Sequence, residues 1–434
     1  VKYYLRKSLR LLSHPKAWQI RLSLWTGALL IGAVAVLLIK GSELFDQLFV
    51  EFAGQFPYAP LLITPIGFIC VVWCIHRYFP GGQGGGVPQT IASLQHPKPN
   101  HLISLRILLG KIAMVFVALA CGASMGIGGP MVHIGASIMY VTSQFTKYTP
   151  RDTQHTAIMA GGAAAIATIF SAPLAGMAFA MEEISRSFQP KRSGLIIISV
   201  LLGMLVVASS IGYSPYFGQL NYQHPENASI WTAALICGIA GGLLGGIFSQ
   251  GIITLISRTM IFVAKHPYRF AGICGFVVAS IGILSSTPIY GTGFLIASEI
   301  AQNPEAFNDP WFPFLKILAT GASFISGVPS GIFGPTIAIG ASLGADLGQW
   351  VSFIPVQTAV LLAMAAYFSA VFQTPITAAI LVLEISGSMD IMLPILAASY
   401  IGFAISRLIC PKPLYRVLSG YFIGIAGHNE QKNA

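Results

Sequence analysis

Few side chains in this sequence can break a covalent bond, and most of what can meet a substrate is backbone. Three glycine-rich turns stand out: Gly84-Gly85-Gly86-Val87-Pro88, Gly126-Ile127-Gly128-Gly129-Pro130 and Gly331-Ile332-Phe333-Gly334-Pro335. Each leads into a run that reads as helix. Proline is tolerated in a helix's first turn, and glycine lets backbone come close to a ligand. A helix that starts inside an apolar medium presents unpaired N–H groups and the positive end of its dipole, which together hold an anion without a formal positive charge. The other use of such glycines is tight helix packing, but three helix starts of one form favour an anion path. Enzyme chemistry finds no support: there is no His-Glu-x-x-His and no serine motif with a positioned histidine. Cys70 and Cys74 lie one helical turn apart without a His or acidic partner, so the six cysteines read as packing thiols and no metal or cofactor is expected.

The elements that carry these turns must be membrane helices. Only 9% of the 434 residues are charged and 55% are hydrophobic, with a mean hydropathy of +0.74. Residues 112–146, 193–225, 227–257 and 347–383 contain no Asp, Glu, Lys or Arg. About 20 apolar residues span a bilayer as a helix, and these runs lack the alternation of a β-barrel. The net charge of +10 does not imply nucleic acid, because the basic residues cluster at helix ends. Lys2, Arg6, Lys7, Arg10, Lys16 and Arg21 precede a first span expected over Leu22–Ile39, and Arg407, Lys412 and Arg416 close the last. By the positive-inside rule both termini face the cytoplasm, with residues 214–228 and 299–309 outside. No cleavable signal peptide is expected.

The sequence also repeats. Residues 126–138 align with 331–343 at an offset of 205, with eight of 13 positions identical. The same offset pairs Lys111 with Lys316. Gly84-Gly85-Gly86 corresponds to Gly291-Thr292-Gly293 at an offset of 207, and Phe170-Ser-Ala-Pro173 to Phe372-Gln-Thr-Pro375 at 202, a register that sets Glu182 against Glu384. Four collinear matches mark an internal duplication. Inverted membrane repeats place a substrate site at their interface near the midplane.

These motifs, with Ala172-Pro173-Leu174-Ala175-Gly176, Glu182-Glu183 and Lys412-Pro413-Leu414-Tyr415, resemble the CLC family of chloride channels and proton-coupled chloride transporters over roughly residues 20–420. The resemblance implies an all-α polytopic membrane protein, an inverted repeat of two halves whose broken helices meet at a central anion path. Its expected divisions are a cytoplasmic segment 1–21, repeats 22–225 and 226–415, and a short cytoplasmic tail 416–434 with no regulatory module. It implies a homodimer with one pore per subunit, in a membrane that family habit makes a bacterial inner membrane. The implied substrate is chloride or a similar small monovalent anion, with protons as a second candidate. The central anion is expected between the N–H groups of Ile332 and Phe333 and the Tyr415 hydroxyl, and an inner site at the N–H groups around Gly85 and Gly86.

The departures from the family pattern carry the mechanism. Gly85 stands in place of a serine. Gly128, beside Gly129, stands in place of the glutamate that acts as external gate and proton carrier. Passive conduction is therefore expected, with a proton-coupled antiporter through Glu183 or His133 as the alternative. Glu183 matches an inner proton-transfer glutamate and is equally an interfacial carboxylate near Arg186. His133 is a proton carrier or a hydrogen-bonded packing residue. Lys111 and Lys316 either raise the potential along the pore or snorkel to the interface. A fluoride exchanger fits less well, because the Tyr415 region resembles the chloride-type members.

Overall fold

A computed structural model describes residues 15–96, 99–145, 150–185, 190–218, 220, 227–351 and 355–433. The basic cluster at residues 2–10, Arg186 and residues 221–226 lie outside the described residues. Helices α1 (Pro15–Gln55), α2 (Pro60–Tyr78), α3 (Val87–Gln95), α4 (Leu105–Ala120), α5 (Gly128–Ser143), α6 (Arg151–Phe170), α7 (Pro173–Phe179) and α8 (Pro190–Ile211) form the first half. The second half follows the same plan with α9 (Asn227–Lys265), α10 (Pro267–Leu284), α11 (Phe294–Gln302), α12 (Phe312–Ile325), α13 (Phe333–Trp350), α14 (Val356–Phe372), α15 (Pro375–Ser386) and α16 (Met392–Ile409). One more helix, α17 (Leu414–Asn433), has no counterpart. The duplication read from four motifs thus extends to eight paired helices.

Among the described residues, seven helices are long and apolar enough to cross a membrane. The first is longer than the span expected over Leu22–Ile39: α1 has 41 residues and its counterpart α9 has 39. At 1.5 Å per residue each runs for about 60 Å, twice the hydrocarbon thickness, which requires a steep tilt. Some of the helices that carry the motifs are short. α3 and α11 have nine residues each and α7 has seven, too few to span, so these helices begin and end within the protein.

The two halves meet at the motifs. Gly126 N–H donates to the Gly331 carbonyl at 2.7 Å, and Gly331 N–H returns the bond to Gly126 at 3.0 Å in an antiparallel bridge. These residues are equivalents at the offset of 205. Reciprocal bonds between equivalent residues place a local two-fold axis between them, the relation of an inverted repeat. A second exchange repeats the pattern. The Glu384 carboxylate accepts from the N–H groups of Leu174 and Ala175 at the start of α7, at 3.0 and 2.8 Å. Glu182 accepts from Ile376 and Thr377 at the start of α15, at 3.0 and 2.6 Å. Each carboxylate closes the helix start of the other half.

Candidate functional site

Some helix starts in this fold are closed by an oxygen of the protein. α7 and α15 have the crossed glutamates. Gly86 N–H, at the start of α3, donates to Gln89 Oε1 at 3.0 Å. Thr292, before α11, donates to Asp46. The starts of α5 and α13 have no side-chain cap, a property shared with α2, α6, α10, α12, α14 and α16. Those of α5 and α13 are the second and third glycine motifs, and both helices are buried along nearly their whole length. Two uncapped dipoles therefore converge where the halves join.

The surroundings of the α13 start are aromatic. Phe333 is stacked on Phe372, with ring centroids 4.5 Å apart and planes at 17°. Phe368, Phe179, Phe170 and Tyr415 surround it at 5.5, 5.6, 6.2 and 6.2 Å. Tyr415 is buried and its hydroxyl has no hydrogen-bond partner. A buried hydroxyl without a partner costs about 1–3 kcal/mol, which an anion held between it and the N–H groups of Ile332 and Phe333 would recover. Ser330, one residue before the third motif, has a second unpartnered buried hydroxyl, and its carbonyl lies 3.0 Å from the position of a Cβ on Gly85. Sequence reasoning missed Ser330, since a serine in a turn carries no signal of its own.

The inner-site expectation changes at Gly86. Its N–H already serves Gln89, so only Gly85 contributes a free backbone donor from that pair. The absence of a side chain at Gly85 has a steric reason. A Cβ there would lie 2.9 Å from Phe324 Cε2 as well as 3.0 Å from the Ser330 carbonyl. At Gly128 a Cβ would meet Phe170 Cζ and Phe333 Cβ, each at 3.2 Å. A side chain there is thus crowded by the Phe170 ring and the Phe333 Cβ. Gly129 faces the Gly85 carbonyl, 2.6 Å from its own added Cβ, and serves backbone packing.

The titratable residues separate clearly. Glu183 is completely buried in the π-helical turn Ala180–Ser185 that extends α7. His133 is committed elsewhere: its Nε2–H donates to the Leu102 carbonyl at 2.8 Å, and its Nδ1 accepts from Lys111 Nζ at 3.0 Å. A carbonyl can only accept, which fixes this neutral tautomer. A second proton would point an N–H at the ammonium. His133 therefore has both nitrogens in use, the arrangement of a hydrogen-bonded packing residue, one of the two roles expected of it. Neither lysine snorkels. Lys111 is 1% exposed and Lys316 is 0% exposed, and Lys316 Nζ donates to the carbonyls of Ile289, Gly291 and Tyr290 at 2.7, 3.2 and 3.5 Å.

Residues 66–407 match the family described as voltage gated chloride channel. The chain belongs to that family. Among its curated relatives is the "H(+)/Cl(-) exchange transporter ClcA" of Vibrio vulnificus (strain YJ016), 26% identical over 375 residues that cover 83% of this chain and 79% of the relative. The protein of the same name from Yersinia pestis bv. Antiqua (strain Angola) is 27% identical over 400 residues, 86% of this chain and 81% of the relative. The fold is similar to that of a slow cyanobacterial Cl−/H+ antiporter, with a TM-score of 0.82 and 22% identity over 95% of this chain and 99% of the other. It is also similar to a CLC-type fluoride/proton antiporter, with a TM-score of 0.79 and 20% identity over 94% and 99%. The all-α inverted-repeat fold of this family is therefore the fold of this chain, and the chain is an integral membrane protein.

Proposed function

We propose that this family member carries chloride or a similar small monovalent anion across the membrane passively, without strict coupling to protons. Anion transport is supported by the uncapped helix starts at Gly128 and Phe333, the unpartnered Tyr415 hydroxyl and the exchange of chloride named for the relatives. The observation that carries the passive reading is Gly128 itself. A gating carboxylate competes with the anion when charged and withdraws when protonated, and a residue with no side chain does neither. Phe170 and Phe333 pack against this glycine, so the constriction is apolar, of the kind that gates by dewetting. The relatives are named as proton exchangers, and Glu183 is retained and buried. These observations favour exchange as the second reading.

Proteoliposomes with a chloride gradient decide between them when chloride and pH are recorded together. Chloride flux without stoichiometric proton movement is expected. Uphill proton movement at a fixed ratio to chloride, abolished by Glu183→Gln, would establish exchange. Absence of anion flux altogether would remove both readings.

A further inference from the structure

The loop Gly291-Thr292-Gly293 repeats the loop Gly84-Gly85-Gly86 in conformation as well as sequence. Its outer glycines have φ of +70° and +76°, against +70° and +95° in the first loop. Thr292 is thus the counterpart of Gly85 across the pseudo-two-fold axis, in the half of opposite orientation. The hydroxyl that Gly85 lacks is present at Thr292, and both donors of Thr292 converge on one oxygen. Its N–H lies 2.8 Å and its Oγ1 2.9 Å from Asp46 Oδ2 on α1. Gly291 makes room for the carboxylate, since a Cβ there would lie 2.4 Å from Asp46 Cγ. The other carboxylate oxygen, Asp46 Oδ1, is buried and has no partner, and the residue is 7% exposed. Glu182 and Glu384 use both oxygens, so Asp46 is not another cap of their kind.

This loop is joined to the conduction elements. Met125 N–H donates to the Gly291 carbonyl at 3.1 Å and Gly291 N–H to the Ala123 carbonyl at 3.0 Å, on the segment that enters the second motif. The next residue after the loop, Phe294, packs on Phe170 at 5.2 Å, the ring that lies against Gly128.

We propose that Thr292 N–H and Oγ1–H form a second anion site, at the outer side of the path, which Asp46 occupies as a tethered anion that yields to chloride when it is protonated. The inference rests on the anion-transport reading. A carboxylate and a halide compete for the same N–H and O–H donors. The charged and titratable groups around Asp46 are Glu43 one turn before it on α1, Lys316 from α12, and Tyr216 and Tyr290 from the flanking loops. Glu43 is half-buried and hydrogen-bonded to Tyr216. It lies at i, i−3 on the same helix face. The site regulates entry of the anion and by itself fixes no proton stoichiometry.

The test is chloride efflux from proteoliposomes held at the same pH on both sides, from neutral down to about 5, the edge of the carboxylate range. Efflux should rise on acidification in the native protein. Asp46→Asn keeps an acceptor for Thr292 and cannot ionise, so its efflux should lose the pH dependence and stay at the acid level. Calorimetry on the detergent-solubilised protein at neutral pH should show chloride binding to Asp46→Asn with one site more than to the native chain. If Asp46→Asn does not fold, Thr292→Val decides. It weakens the hold on the carboxylate and should move the rise in efflux to higher pH. An unchanged pH profile with equal binding stoichiometry in the variant that folds would overturn the inference while leaving transport intact. No efflux from any variant would instead remove the reading on which it rests.

Discussion

Tyr415 is the residue through which the central site is most directly tested. Its hydroxyl is buried without a partner, and Tyr415→Phe removes only that atom. Losing one hydrogen bond to an anion costs about 1.5–3 kcal/mol, so chloride affinity measured by calorimetry should fall roughly tenfold or more, with the fold unchanged. Gly85→Ser restores the serine of relatives and adds a ligand on paper. In this chain the new Cβ meets Phe324 at 2.9 Å and the Ser330 carbonyl at 3.0 Å. We expect a loss of about 1–3 kcal/mol of stability, as for overpacked cores, seen as a lower midpoint of thermal unfolding in detergent. Gly128→Glu has a neighbour that can rotate away, Phe170, and should fold. Its side chain would stand in the path and slow chloride flux, and the flux should then recover on acidification. The glycines at 85 and 128 were legible in the sequence as missing ligands. That their neighbours had closed over them was not, because Phe324 and Phe333 are more than 200 positions away.

At the level of elements, the Gly/Pro turns divide into those whose helix starts are held by a carboxylate of the other half, at α7 and α15, and those without a side-chain cap, at α5 and α13. Glu182→Gln and Glu384→Gln each leave two helix N–H groups facing a neutral amide with one acceptor in place of a carboxylate with two. Each substitution should cost about 1–3 kcal/mol, with Glu182→Gln the more costly because Glu182 also accepts from the Thr377 hydroxyl at 2.7 Å. Unfolding of the single variants measures this, and a larger cost for Glu384→Gln would refute it. The pairing of these glutamates was legible from the offset of 202; their bonds to the opposite half were not. Asp46 was illegible for a related reason. It is one of several charged residues on α1, with Lys40, Glu43 and Glu51 nearby in sequence, and its partner Thr292 is 246 positions away. The π-helical turn that buries Glu183 leaves no mark in residue spacing either. His133 and Lys111 were both visible, but only their contact at 3.0 Å decides that one restrains the other.

For the whole molecule, membrane residence, the duplication and the anion path were legible because they are written in quantities that survive divergence: length without charge, a fixed offset, and glycine before proline. The end of the chain was less so. The expected tail after Tyr415 continues as helix α17 to Asn433, and Phe422 packs against the cluster of Ala92 and Leu102. The homodimer implied by the resemblance predicts a cross-linked species of twice the 46.1 kDa chain mass in mild detergent. Monomers alone would count against it.

The crossed glutamate caps also bear on how the chain is made. The start of α7 is closed by a residue 210 positions further on, so for the time needed to synthesise that stretch, about 10–40 s at ordinary elongation rates, its N–H groups have no protein partner. The first half leaves the ribosome unfinished, and no order of insertion can complete it before the second arrives. Two fragments cut between α8 and α9 should accordingly be degraded when expressed singly and accumulate when expressed together. The join between the halves would then be dispensable, and their mutual closure would not.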